Sequence, residues 1–115
     1  MYRFRAFFAF TEERVYFMTT FVGETVHILC GETERLNSSV DWYYQPAIDV
    51  DSYVIIAGGY LVNGDYGGRL TINGSTLIIT NARKDDSGVY TCVEDIGTGT
   101  KHFVLLNVQQ GKHTM

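Results

Sequence analysis

The residues here that could do chemistry are three histidines, two cysteines and a scatter of carboxylates. The first question is whether spacing gathers any of them. His27 and His102 fall inside apolar alternating runs, and His113 lies in the polar tail. There is no G-x-S-x-G, and no nucleophile stands at a general-base spacing. His27 and His102 therefore read as strand residues facing a sheet surface. Asp49-Val50-Asp51 brings two carboxylates together but lacks the further spaced oxygens of a calcium loop. Gly58-Gly59 lacks the strand-to-helix setting of a phosphate loop. Cys30 and Cys92 stand 62 positions apart with no close Cys or His partner, so they do not form a zinc site. They are either two buried thiols or one bridge between facing strands. The expectation is a chain with no catalytic constellation, no metal and no cofactor.

The elements that must position these residues are strands. Val26, Ile28 and Cys30 share one face by the period of two in T-V-H-I-L-C. Val40–Gln45 is a second strand, closed by the only proline, Pro46. Ser52–Ala57 is a third, and Tyr60–Val62 a short fourth that runs into the turn signal Asn63-Gly64. Arg69–Ile72 and Thr76–Ile79 flank Asn73-Gly74 as a hairpin. Val89–Val93 and Lys101–Val108 complete the set. No window sustains apolar spacing at three and four residues, so helices are confined to single turns. The fold class is all-β, a sandwich or barrel.

Composition agrees. The 115 residues suit one domain, and 45% hydrophobic against 19% charged residues is a globular balance. Eight Tyr, seven Phe and one Trp favour strands. A formal charge of −4 argues against nucleic acid, which needs a basic field. No window approaches the roughly 18 apolar residues of a membrane span. The opening M-Y-R-F-R-A-F-F-A-F has the arginines and apolar residues of a truncated secretory signal without a cleavage site, so Met1 reads as the start of a trimmed chain.

Three features fall into register. Trp42 follows Cys30 by twelve residues, Cys92 closes D-D-S-G-V-Y-T-C, and Tyr90 stands two residues before it. Together they resemble the immunoglobulin sandwich, and the likeness covers roughly Val15 to Val108. That resemblance implies a Cys30–Cys92 bridge between sheets, and hence an oxidising compartment. It further implies Trp42 packed beside the bridge, Tyr90 as a tyrosine corner, and an Arg69–Asp86 pair at the base. The fifty residues between Trp42 and Cys92 hold two strands beyond the constant-type set, Ser52–Ala57 and Tyr60–Val62. The expected architecture is a variable-type, antiparallel sandwich of about nine strands. The division follows: residues 1–14 as an N-terminal extension or edge strand, 15–108 as the domain, 109–115 as a tail or linker.

The stretch I-G-T-G-T resembles the joining segment of antigen-receptor variable domains, with Ile96 in place of Phe or Trp. Similar organisation occurs in non-vertebrate immune-type proteins. Gly97 and Gly99 would permit a bulge in the last strand. The resemblance implies a pairing face of Tyr43, Gln45, Val93, Ile96, Gly97 and Gly99, with part of Phe103–Leu106, suited to a homodimer or a second immunoglobulin domain. Three loops, Gly31–Ser39, Gly58–Gly68 and Val93–Thr98, form the other candidate surface. Tyr60 and Tyr66 are its rigid anchors, with Glu94 and Asp95 in a very short third loop. Asn37 and Asn73 stand in N-x-[ST] sequons. The expected function is non-catalytic recognition of a protein or glycan by a secreted or cell-surface immune-type protein. The alternative is an adhesion or receptor-assembly module that uses only the sheet face.

Overall fold

The computed structural model describes residues 13–31, 40–47, 49–58, 60–62, 68–93 and 100–111. Among these residues nine strands form two sheets. They are β1 (Glu13–Phe21), β2 (Val26–Ile28), β3 (Trp42–Gln45), β4 (Tyr53–Ala57), β5 (Tyr60–Leu61), β6 (Leu70–Asn73), β7 (Thr76–Ile79), β8 (Gly88–Val93) and β9 (Lys101–Gln109). The larger sheet runs β1-β9-β8-β3-β4-β5 and the smaller β2-β7-β6. Pairing is antiparallel except between β1 and β9, which run parallel. A 3₁₀ turn, Lys84–Asp86, leads into β8.

Each sheet buries one face. Ile28, Leu77 and Ile79 of the small sheet meet Trp42, Tyr90, Val104, Leu106 and Val108 of the large one. Cys30 and Cys92 are bonded across that core, with Cα atoms 5.9 Å apart. Trp42 is wholly buried and donates its indole N–H to the Ser75 carbonyl at 3.2 Å. That bond satisfies the one polar atom of the largest core side chain and ties β3 to the β6–β7 turn. The turn itself is two residues, Gly74 and Ser75, between the paired Asn73 and Thr76, and Gly74 has φ of 62°. A left-handed φ is a conformation that glycine adopts without a Cβ clash.

The apolar run Phe103-Val104-Leu105-Leu106 resolves by alternation. Val104 and Leu106 enter the core, and Phe103 and Leu105 are half-buried on the outer face. Strand β1 begins at Glu13, two residues before the expected start of the domain and within the segment read as an extension or edge strand, and its whole length is carried by pairing with β9 from Glu13–Lys101 to Phe21–Gln109. One feature differs from the sequence expectation. His102 does not face a sheet surface. It pairs in register with Cys92, so the same alternation turns its ring inward, where it is 3% exposed. There its Nδ1 lies 3.3 Å from the Tyr16 hydroxyl, and burial of an imidazole needs such a partner. His27 is exposed, as expected.

Gly88 opens β8 with φ of 149°, and a Cβ there would lie 2.7 Å from both the Gln45 carbonyl oxygen and Tyr44 Cε1. Both the backbone conformation and the space demand glycine. Gly88→Ala is expected to lower unfolding free energy by about 1–3 kcal/mol, read as a fall in the urea midpoint at unchanged slope.

Candidate functional site

The phase of β8 builds the outer face of the large sheet. Cys92 and Tyr90 point to the core, so Val89, Thr91 and Val93 point outward. Their register partners follow them: Gln45 and Leu105 beside Val89, Tyr43 and Phe103 beside Thr91, Lys101 beside Val93. Tyr43, Gln45, Ser52, Val93, Lys101 and Phe103 line a shallow concavity of about 410 Å³, with Thr91 in its floor. The face is mixed rather than simply apolar: Gln45, Ser52 and Thr91 offer hydrogen-bonding groups between the rings of Tyr43 and Phe103. The Lys101 ammonium lies 5.7 Å from the Phe103 ring centroid. Among the described residues it pairs with no carboxylate.

Tyr43, Gln45 and Val93 lie together on this face. Ser52, Thr91 and Lys101 were not singled out in the sequence. Thr91 carried a usable signal, since it alternates with Cys92, but placing Lys101 beside Val93 requires the β8–β9 register. Ile96, Gly97 and Gly99 of the anticipated face lie outside the described residues, as do Tyr66, Glu94, Asp95 and Asn37. Tyr60 lies on β5, 78% exposed, beside the exposed Leu61 and Val62. Asn73 is exposed at the end of β6, while the Ser75 of its sequon is buried in the turn.

At the base of the sandwich, Asp86 is 3% exposed and its carboxylate is fully engaged. Arg69 Nη1 donates to Oδ2 at 2.8 Å and Nη2 to Oδ1 at 3.0 Å, a bidentate fork. The Arg83 backbone N–H donates to Oδ2 at 2.8 Å, closing the 3₁₀ turn. Tyr90 donates its hydroxyl to the Asp86 carbonyl at 2.6 Å, the geometry of a tyrosine corner. Tyr44, beside Tyr90, donates to the Ser87 carbonyl at 2.6 Å. Burial, followed by the nearby Tyr53, Asp86 and Asp85, pushes the Tyr44 phenol up to about 12. All of these groups hold the fold, and none faces the concavity. Among the described residues no group of three or more His, Cys, Asp or Glu could hold a metal ion, and no helix is long and apolar enough to cross a membrane.

Two sheets joined by a bridge beside a buried tryptophan, with β4 and β5 added to the larger sheet, define a variable-type immunoglobulin sandwich. A family model for the immunoglobulin domain matches residues 14–95. An Ig kappa chain V region, 3368, from Oryctolagus cuniculus is 32% identical over 78 residues, which cover 64% of this chain and 69% of that one. The crystal structure of the N-terminal four Ig domains of Dscam1 isoform 6.9 superposes with a TM-score of 0.61 at 23% identity. The superposition covers 83% of this chain and 22% of the Dscam1 chain, and at that identity it speaks for the fold alone. The chain belongs to the immunoglobulin domain family and is of the variable type.

Removing Asp86 would take its carboxylate from the largely buried Arg69 guanidinium, whose Nη1 also donates to the Asn81 carbonyl at 3.2 Å. Asp86→Ala is expected to cost about 3–5 kcal/mol in chemical denaturation, more than an exposed ion pair could. Tyr44 gives a pH signature. Its folded-state pKa lies above the unfolded value of 10.0, so its contribution is whole below pH 10 and is lost as pH rises toward about 12. Denaturation midpoints measured at pH 8 and pH 11 should fall further in the wild type than in Tyr44→Phe.

Proposed function

We propose that this chain is a non-catalytic, extracellular recognition domain of an immune-type protein that binds a partner protein through the outer face of β9-β8-β3-β4. The partner surface is that of a second immunoglobulin domain, of the same or another chain. The observation that carries this reading is the concavity itself. Tyr43 and Phe103 are aromatic anchors on rigid strands, Gln45, Ser52 and Thr91 supply hydrogen-bonding groups, and Lys101 brings a cation that pairs with no carboxylate among the described residues. An apolar centre with interspersed polar groups is the composition of a protein interface rather than of a solvated sheet. The Cys30–Cys92 bridge supports an oxidising, extracellular setting. Kinship with a kappa V region supports an immune-type role.

A second reading rests on Tyr60. Its ring, with Leu61 and Val62, is presented to solvent at the far edge of the large sheet. Recognition there would use β5 and leave the face uninvolved.

A screen of protein and glycan arrays identifies a binder, and substitutions then separate the two surfaces. Phe103→Ala and Lys101→Glu are each expected to weaken binding about tenfold or more, while Tyr60→Ala leaves it within about twofold. The opposite pattern overturns the face reading and favours the β5 edge. Fold integrity is checked by the denaturation midpoint.

A further inference from the structure

The turn between β6 and β7 carries a serine whose hydroxyl the folded protein does not use. Ser75 is 1% exposed, and its Oγ has no hydrogen-bond partner among the described residues. Serine suits turns because its hydroxyl bonds to nearby backbone, and here it makes no such bond. A buried hydroxyl left unpaired is unfavourable, and an alanine of nearly the same size would avoid that loss. What the fold takes from Ser75 is its carbonyl, which accepts the Trp42 indole N–H and which every residue has. Thr76 Oγ1 is unpaired too, but threonine brings the β-branching that suits a strand. Ser75, in the turn, brings only its hydroxyl.

Two residues earlier, Asn73 is in the opposite situation. Leu70 is buried and Ile72 packs against the core, so by alternation Thr71 and Asn73 point away from it. Asn73 is exposed, and among the described residues no hydrogen bond engages its side chain. Its amide can carry a large substituent without the loss of any contact.

We infer that Asn73 carries an N-linked glycan, and that Ser75 keeps its hydroxyl for the transfer rather than for the fold. Asn73-Gly74-Ser75 has the N-x-S form that the transfer requires. The Asn73 side-chain nitrogen forms a bond to the anomeric carbon of an oligosaccharide held on a lipid diphosphate. The bond from that carbon to the phosphate oxygen breaks, and its electron pair leaves with the diphosphate. The amide gives up one proton to a base of the transferase. In the folded turn the amide faces solvent while the hydroxyl is enclosed, so an enzyme cannot grip both. Transfer therefore precedes closure of the β6–β7 turn, and folding then encloses the hydroxyl and leaves the glycan outside.

Topology fixes where the glycan stands. Asn73 lies on the outer side of the small sheet, across the core from the outer face of β9-β8-β3-β4. It stands at the end of the sandwich away from Arg69, where Ile28 pairs with Leu77 and Trp42 reaches Ser75. A bulky, hydrated group there covers the small sheet and leaves the large sheet's face open. The inference does not depend on the face reading, but it rests on the extracellular setting that the Cys30–Cys92 bridge supports.

The test is the full chain secreted from eukaryotic cells, followed by mass spectrometry of its tryptic peptide 70–83, which contains no other N-x-[ST] sequence. The peptide is expected to carry a glycan whose enzymatic release converts Asn73 to Asp. Asn73→Gln and Ser75→Ala are each expected to lose it. In unglycosylated chain made in bacteria with the bridge formed, Ser75→Ala should leave the urea midpoint unchanged or raise it. A fall there means that the hydroxyl serves the fold, and overturns its assignment to transfer. The same folded chain, offered transferase and lipid-diphosphate oligosaccharide, is expected to stay unmodified, and the reduced and alkylated chain to accept the glycan. Modification of the folded chain overturns the order of events. A bare Asn73 in chain secreted with its bridge formed overturns the inference and leaves the extracellular reading standing. A chain that reaches the medium with free thiols overturns both.

Discussion

The bridge from Cys30 to Cys92 fixes more than the distance between the sheets. By turning Cys92 inward it sets the phase of β8, and β8 lies in the middle of the larger sheet. Because side chains alternate with a period of two, that one choice propagates through the ladders on either side. Trp42 and Tyr44 must enter the core and Tyr43 and Gln45 must leave it. His102, Val104 and Leu106 go in, while Lys101, Phe103 and Leu105 come out. A slip of one residue in β8 would bury Lys101 and expose His102 together with half the core. Such a slip is opposed by the bridge, by the Trp42–Ser75 hydrogen bond and by the Tyr90–Asp86 hydrogen bond, three attachments to different parts of the chain.

The base of the sandwich adds a second, polar lock. Asp86 gathers two N–H groups of Arg69 and one backbone N–H of Arg83. Desolvating that carboxylate and guanidinium offsets much of their attraction, so the pair adds less to net stability than its short distances suggest. What it supplies is registration: it holds the edge of the small sheet near Arg69 to the turn that launches β8. Tyr44, with its hydroxyl on Ser87, closes the same turn from the β3 side. The close approach of Gly88 to Tyr44 and Gln45 follows from this crowding, since three elements converge on the first residue of β8.

The legible part of this fold is the part encoded locally. Cysteine, tryptophan and tyrosine spacing located the core, and alternation located β2, β3, β7, β8 and β9 to within a few residues. Arg69 and Asp86 were recognisable as a pair only through a likeness of pattern, and their geometry depends on a turn that the sequence merely hints at. Strand β1 was obscured because its two faces carry similar side chains. Tyr16 and Met18 pack on the core while Val15 and Phe17 are exposed, so hydropathy gives no phase. The strand exists because β9 offers it a ladder 88 residues away in sequence, from Glu13–Lys101 to Phe21–Gln109, and no local pattern reports that. His102 was misread for the same reason. A histidine in an alternating run is normally assigned outward, and only the inward phase of Cys92 and the distant Tyr16 hydroxyl reverse that assignment. The face residues were partly legible: Tyr43, Gln45 and Val93 follow from Trp42 and Cys92 by alternation, whereas Ser52 and Lys101 depend on pairing.

Strand β9 is where the two surfaces of this domain meet. Its outward residues Phe103 and Leu105 belong to the outer face of the large sheet on the β8 side, and on the other side they adjoin Val15 and Phe17 of β1. The apolar character of the face therefore does not stop at β9 but continues to the sheet edge. In a half-solvated sheet such continuity has a cost in solubility, and proteins that keep it generally cover it. Rotating β1 by one residue would hide Phe17 but would expel Tyr16 and Met18 from the core and break the contact with His102. The buried side of β1 thus dictates what its exposed side must show, and the exposure of Phe17 is a consequence of packing.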